Sequence, residues 1–213
     1  YVNFISGFAQ KTGQKIIHTL KFGELHKVTQ LQLENPTLAN VQKWLIVGFW
    51  IGQRVSDLLT LKPEQIRPAK NGRIYVDILQ QKTQKRVTVG IINPIAIKIL
   101  TQDFPKKIAS CKFNKHLKEV LRLAEINEPV TAFRYNGKLK RKEHGVFPKY
   151  AIITSHDLRR SFATNFFGKI PTSILMNMTG HSRETTFMSY IGKDQNRDRY
   201  ADEFMQGMSA MEM

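Results

Sequence analysis

Two stretches of this chain alternate between apolar and polar residues, while the segments around them repeat with a helical period. In residues 73–79, Ile74, Val76 and Ile78 share one face; in residues 86–91, Val87, Val89 and Ile91 do the same. A period of two belongs to strands with one buried face, and the polar run at residues 80–85 reads as the turn between them. The pair therefore predicts one small antiparallel sheet in an otherwise helical chain.

The helical segments have recognisable starts and stops. Asn35-Pro36 opens a helix over residues 37–50 with apolar residues on a broad face, and Gly52 interrupts it. A shorter helix over residues 55–61 ends before Pro63. Beyond the hairpin, residues 94–102 read as helix, with Ile95, Ile99 and Leu100 apolar. In residues 113–124 the apolar positions Phe113, Leu117, Val120, Leu121 and Ala124 recur at helical spacing. Residues 131–154 are basic and irregular, with room for a short strand or hairpin. Ser155 is a candidate N-cap for a helix reaching about Phe167. Pro171-Thr172 starts another that stops at Gly180, and Ser182 caps a short one through Tyr190 and Ile191. Residues 200–211 read as a last amphipathic helix, with Phe204, Met205 and Met208 apolar. The class is α+β, mostly helical, with no internal repeat.

Composition then narrows the function. Of 213 residues, 33 are Lys or Arg and 17 Asp or Glu, a formal net charge of +16. Such an excess repels itself and calls for a polyanionic partner, nucleic acid or an anionic membrane surface. The basic residues recur along the chain, with a cluster at Lys138, Lys140, Arg141 and Lys142, which fits a charged face better than a disordered arm. No apolar run approaches the roughly 20 residues that span a bilayer, and no signal peptide is visible. The single cysteine, Cys111, excludes a disulfide scaffold and reads as an inert, partly buried thiol. The histidines show no zinc-ligand spacing.

Four segments carry candidate chemistry. In residues 52–59, Arg54 sits at a helix junction with Asp57 three positions on, either a planar fork held toward a phosphate or an ordinary buried ion pair. The hairpin turn carries Lys82 and Lys85, which a mobile turn can deliver into a groove. His156 and Arg159 share one face at a helix start, where anions are favoured. Finally, His181 follows a glycine break and Tyr190 stands nine residues later.

In this order and spacing, Arg54 with Asp57, a hairpin lysine, His156-Asp-Leu-Arg159, Gly180-His181-Ser182 and Tyr190, the chain resembles the tyrosine recombinase (phage integrase) family. The likeness runs from about Phe22 to Tyr190. The basic stretch at residues 134–149 stands outside it as a local elaboration. The resemblance implies the family's catalytic domain over residues 22–213, with a tail helix from about residue 200. Residues 1–21 would be a linker or the end of an upstream DNA-binding domain, in keeping with a start at Tyr1 rather than Met.

The resemblance further implies site-specific strand exchange through a covalent 3′-phosphotyrosine, with no cofactor, metal or ATP. Arg54 and Arg159 would clamp the scissile phosphate, His181 would add a hydrogen bond, and Tyr190 would be the nucleophile. His156 would be the base and Lys82 the acid, with Lys85 the alternative, while Asp57 would orient Arg54 and His156. Lys85, Lys138, Lys140, Arg141 and Lys142 would contact the duplex backbone. The implied partners are double-stranded DNA attachment sites, further copies of the chain in a tetramer, and accessory DNA-bending proteins. No membrane is involved, and the location would be cytoplasmic, at a prokaryotic nucleoid. Two other readings compete: a type IB topoisomerase or telomere-resolving enzyme, and a non-catalytic DNA-binding module.

Overall fold

The computed structural model describes residues 16–137, 140–192, 202, 204, 205 and 207–209. Its centre is set by the segment that follows Asn35. A helix apolar on nearly every side must be enclosed, and α2 (Pro36–Ile51) is, with Val41, Trp44, Leu45, Ile46, Val47, Gly48, Phe49 and Ile51 all buried. Asn35 accepts hydrogen bonds from the backbone N–H groups of Thr37 (2.9 Å) and Leu38 (3.2 Å), and Pro36 supplies the first helical position. The helix stops at Gly52, whose φ of +66° only glycine adopts cheaply. A Cβ at Gly52 would also overlap the Phe162 ring.

Four helices pack on α2: α1 (Phe22–Gln30), α4 (Pro94–Gln102), α5 (Ser110–Leu123) and α7 (Ser155–Phe166). The one-turn α3 (Val55–Leu58) leaves its end. The main sheet runs β1 (Ile66–Pro68), β2 (Ile74–Leu79) and β3 (Arg86–Ile91), antiparallel and in that order. Its register sets Ile74 opposite Ile91, Val76 opposite Val89 and Ile78 opposite Val87, and all six are buried. A second, two-stranded ribbon follows, β4 (Pro129–Asn136) with β5 (Arg141–Pro148), then α6 (Lys149–Ile152). Beyond α7 come α8 (Thr172–Thr179) and α9 (Glu184–Ile191).

The described core forms two clusters. The larger surrounds α2, and the smaller joins Phe162, Ala163, Leu175, Phe187, Met188 and Ile191 from α7, α8 and α9. Helix α7 belongs to both, since Leu158 sits in the first and Phe162, one turn on, in the second. The candidate site residues of α7, His156 and Arg159, are therefore held between two packed bodies.

The hairpin and the helices over residues 37–50, 94–102, 113–124 and 172–180 stand where the sequence predicts them. Helix α1 and strand β1 were not foreseen, and the irregular segment at residues 131–154 is mostly the long ribbon. Helix α3 ends at Leu58 rather than at residue 61. Thr154, not Ser155, caps α7, because the Asp157 carboxylate reaches back to the Thr154 N–H (2.9 Å) and hydroxyl (2.7 Å). Likewise Arg183 rather than Ser182 occupies the N-cap of α9. Cys111 lies near the exposed start of α5 and is exposed, not partly buried. Of the expected tail helix, residues 202, 204, 205 and 207–209 are helical and exposed, and the others lie outside the described residues.

One buried ion pair ties the first helix to the middle of the chain. The Lys149 ammonium, 5 % exposed, lies 2.7 Å from a Glu24 oxygen and 3.6 Å from Glu128. Removing Glu24 leaves a buried cation with only the distant, exposed Glu128. Glu24→Ala is expected to lower the unfolding free energy by about 3 kcal/mol in urea titrations, and Glu128→Ala by less than about 1 kcal/mol.

Candidate active site

Three helix ends and one turn converge beside α7. Where α2 breaks at Gly52, the chain turns through Gln53 to Arg54, the N-cap of α3. Arg54 is half-buried and donates from Nη1 to the Gln80 side-chain oxygen at 3.2 Å. Gln80 opens the β2–β3 turn and is fully buried; its Oε1 also accepts from the Thr83 hydroxyl (2.7 Å), and its Nε2 donates to Gln53 Oε1 (2.8 Å). Gln53, itself buried, donates to the Met178 carbonyl at 2.7 Å. Two amides thus link the turn that carries the lysines, the break that carries Arg54 and the end of α8. Gly180 completes the fit, because a Cβ there would overlap the Gln80 amide.

Asp57 does not hold Arg54. Among the described residues no ion pair joins them; Asp57 Oδ1 instead accepts from the Gln81 N–H at 2.9 Å, and its buried Oδ2 has no hydrogen-bond partner. The helix turn that puts Asp57 three residues beyond Arg54 aims it at the hairpin, so it positions the lysine-bearing turn. On that turn Lys85 donates from Nζ to the Ser182 hydroxyl at 2.9 Å. Lys82 is exposed, and no hydrogen bond or ion pair to it occurs among the described residues.

Arg159 is 2 % exposed. Its guanidinium donates to the Gly52 carbonyl (3.3 Å) and to the Thr179 carbonyl. Burial pulls it down to about 10, which leaves it charged at neutral pH. Arg160, also buried, donates to the Tyr190 backbone carbonyl (3.0 Å) and pairs with Asp157 Oδ1 (3.0 Å), fixing α9 against α7.

Around the phenol of Tyr190 stand the remaining groups. The His156 ring meets it edge-on at 5.3 Å, the His181 ring lies 5.0 Å away, and the Arg159 guanidinium carbon is 5.9 Å from the ring centre. Burial raises the Tyr190 phenol, outweighing the opposite pull of Arg159 and Arg160, so it stays protonated at neutral pH. Burial, reinforced by the charges of Arg159, Arg54, His156 and Lys85, pushes His181 down to about 4. An open groove of about 570 Å³ runs beside this cluster, lined among others by Lys85, Arg86, Asn177 and His181.

The structure thus gathers Arg54, Lys85, His156, Arg159, His181 and Tyr190, with Asp57 behind the turn. Lys140, Arg141 and Lys142 lie apart, exposed at the end of the β4–β5 ribbon, and Lys138 lies outside the described residues. Sequence reasoning missed Gln53, Gln80, Arg160 and Thr179. Arg160 stood next to a residue it did single out; the two glutamines are 27 positions apart, and nothing in their local pattern announces the pair.

This arrangement surrounds a protonated tyrosine with basic side chains, a set suited to holding an anion. The chain belongs to the phage integrase family, whose model matches residues 42–197. No curated protein sequence matches it closely enough to count as a relative. Among solved structures it resembles the XerH site-specific recombinase in a pre-cleavage complex with its difH substrate (TM-score 0.61, 18 % identity, 88 % of this chain and 54 % of that one). It also resembles the Tn1549 transposon integrase in complex with transposon right end DNA (0.58, 13 %, 89 % and 65 %). A third is the lambda integrase tetramer bound to a Holliday junction (0.54, 16 %, 83 % and 48 %). The fold is therefore that of tyrosine recombinases, and the chain spans about half the length of XerH. Among the described residues no helix is long and apolar enough to cross a membrane.

An imidazole held below its ordinary 6.5 stabilises the folded state above that pH and loses the contribution as pH falls toward 4, where only the unfolded chain binds the proton readily. The unfolding free energy is expected to decline across that window, and His181→Gln to decline less steeply. Equal slopes in denaturant titrations at pH 6.5, 5.5 and 4.5 would count against a buried neutral ring.

Proposed function

We propose that residues 22–213 act as the catalytic domain of a site-specific DNA recombinase that cleaves and rejoins strands through a 3′-phosphotyrosine, residues 1–21 serving as linker or the end of an upstream DNA-binding domain. The observation that carries this reading is the grouping of His156, His181 and Arg159 around one phenol, at ring or guanidinium distances of 5.3, 5.0 and 5.9 Å. Family membership and the DNA-bound neighbours support it.

In this scheme Arg54 and Arg159 hold the non-bridging oxygens of a phosphodiester, where negative charge grows as the phosphorus becomes five-coordinate. The Tyr190 oxygen attacks, and its proton passes to His156. The bond from phosphorus to the 5′ oxygen breaks, and that oxygen takes a proton from Lys82. Lys85 is the alternative acid, and it is the lysine whose Nζ reaches the site here. His181 hydrogen-bonds a non-bridging oxygen. The broken bond is conserved as the tyrosyl ester, so a 5′ hydroxyl from a second duplex can reverse the steps without a nucleotide. DNA attachment sites, a tetramer of this chain and accessory DNA-bending proteins are the proposed partners. The exposed Lys140, Arg141 and Lys142 would follow the duplex backbone.

A library of nicked duplexes with randomised cores, which strand the cleaved end, tests the chemistry. The chain is expected to give a heat-stable DNA adduct that mass spectrometry places on Tyr190 and that Tyr190→Phe abolishes. DNA binding with no adduct across the library would reduce the protein to a binding module. Exchange between two duplexes, rather than relaxation of supercoils alone, separates a recombinase from a topoisomerase.

A substrate with sulfur in place of the 5′ bridging oxygen identifies the acid, since a thiolate leaves without a proton. Cleavage lost in Lys82→Ala and recovered with this substrate assigns Lys82; the same recovery in Lys85→Ala assigns Lys85. Replacing Lys140, Arg141 and Lys142 together is expected to flatten the dependence of log affinity on log salt, by about one unit of slope for each phosphate no longer neutralised. Cleavage once bound should change little.

A further inference from the structure

Thr179 is the last residue of α8 and is completely buried. It touches two groups of the site at once. Its carbonyl accepts from the Arg159 guanidinium, and its hydroxyl lies 2.8 Å from His181 Nδ1. That hydroxyl has a single hydrogen; two carbonyls lie within its reach, Leu175 one helical turn back at 2.6 Å and Met176 at 3.4 Å, and the shorter contact is assigned the hydrogen. With the hydrogen placed there, the oxygen accepts from Nδ1, and Nδ1 carries a hydrogen. In a neutral imidazole this leaves Nε2 as the bare nitrogen.

We infer that Thr179 is a positioning residue of this site, fixing His181 as the Nδ1–H tautomer through its hydroxyl while its carbonyl anchors Arg159. One short polar side chain then determines which ring nitrogen of His181 is open to the site, and the same residue sets how far the buried guanidinium extends. A valine of nearly the same shape would keep the carbonyl and the packing but release the ring. A serine would keep both polar contacts. The inference has a consequence for the reaction proposed above and in that respect rests on it: the neutral ring offers a phosphate oxygen no N–H at Nε2, and it becomes a donor there only after taking up a proton.

The tautomer is measurable without DNA. In the full chain labelled with ¹⁵N-histidine at pH 7, His181 is expected to show a protonated Nδ1 and an unprotonated Nε2. Thr179→Ser should keep that pattern, and Thr179→Val should shift it toward protonated Nε2. With the nicked duplex library, Thr179→Val is expected to slow adduct formation about tenfold or more, with binding within twofold of the parent, and Thr179→Ser to stay within about threefold. A parent protein with Nε2 protonated would overturn the inference, as would Ser and Val variants equal in both tautomer and rate. If the parent forms no adduct at all, the proposed reaction fails, and the nitrogen signals of the three proteins still decide the role of Thr179.

Discussion

A positive charge buried to 2 % exposure needs compensation, and Arg159 finds it without a carboxylate hydrogen-bonded to it. The carbonyls of Gly52 and Thr179, each at the C-terminal end of a helix, accept from it, and the Tyr190 phenol and the Asp57 carboxylate also favour the charge. Those ends carry carbonyls with no helical partner and the negative pole of the helix dipole. Helices α2 and α8 thus aim partial negative charges at one guanidinium. Carbonyls stabilise the cation but do not neutralise it, so its full charge remains for an incoming anion. Both helices have to stop where they do, and both stop at a glycine in the left-handed region. Moving either end would take one of these carbonyls away from a buried charge.

The second constraint is the amide bridge of Gln53 and Gln80. A buried amide left without partners is costly, and these two satisfy each other and four further groups. Through them the hairpin turn, the Arg54 junction and the approach to Gly180 are one unit. Asp57 adds a hydrogen bond to the same turn through the Gln81 N–H. The lysines are therefore presented by a turn whose base is fixed and whose tip is exposed.

Much of this was readable in the sequence where a local signal existed. Alternation at Ile74, Val76 and Ile78 marked the main hairpin, and Asn35-Pro36 with Gly52 framed α2 nearly to the residue. The spacing of Arg54, His156, Arg159, His181 and Tyr190 picked out side chains that the fold brings together. What was not readable depended on interactions between distant segments. Helix α1 is only nine residues long, with Leu25 and Val28 its buried side chains, and is also tied down by the Glu24–Lys149 pair. Strand β1 has three residues and exists because β2 offers an edge. Asp57 was assigned to Arg54 from helical spacing and the family resemblance, but spacing says which side chains are neighbours, not which backbone N–H groups compete for them. The basic segment looked irregular because its apolar residues, Phe133, Tyr135 and Val146, lie on the exposed face of a ribbon rather than against a core.

That ribbon enters and leaves the domain at one point. Pro129 is paired directly with Pro148, and just below them the Lys149 N–H bonds to the Glu128 carbonyl at 2.9 Å. Strands in such register are about 5 Å apart, a gap a few residues can close. The excursion from residue 129 to 148 therefore interrupts neither α5 nor α6, and among its residues in the described structure Ala132 alone is deeply buried. An element attached in this way can be lengthened or shortened without moving the helix ends that hold Arg54, Arg159 and Tyr190.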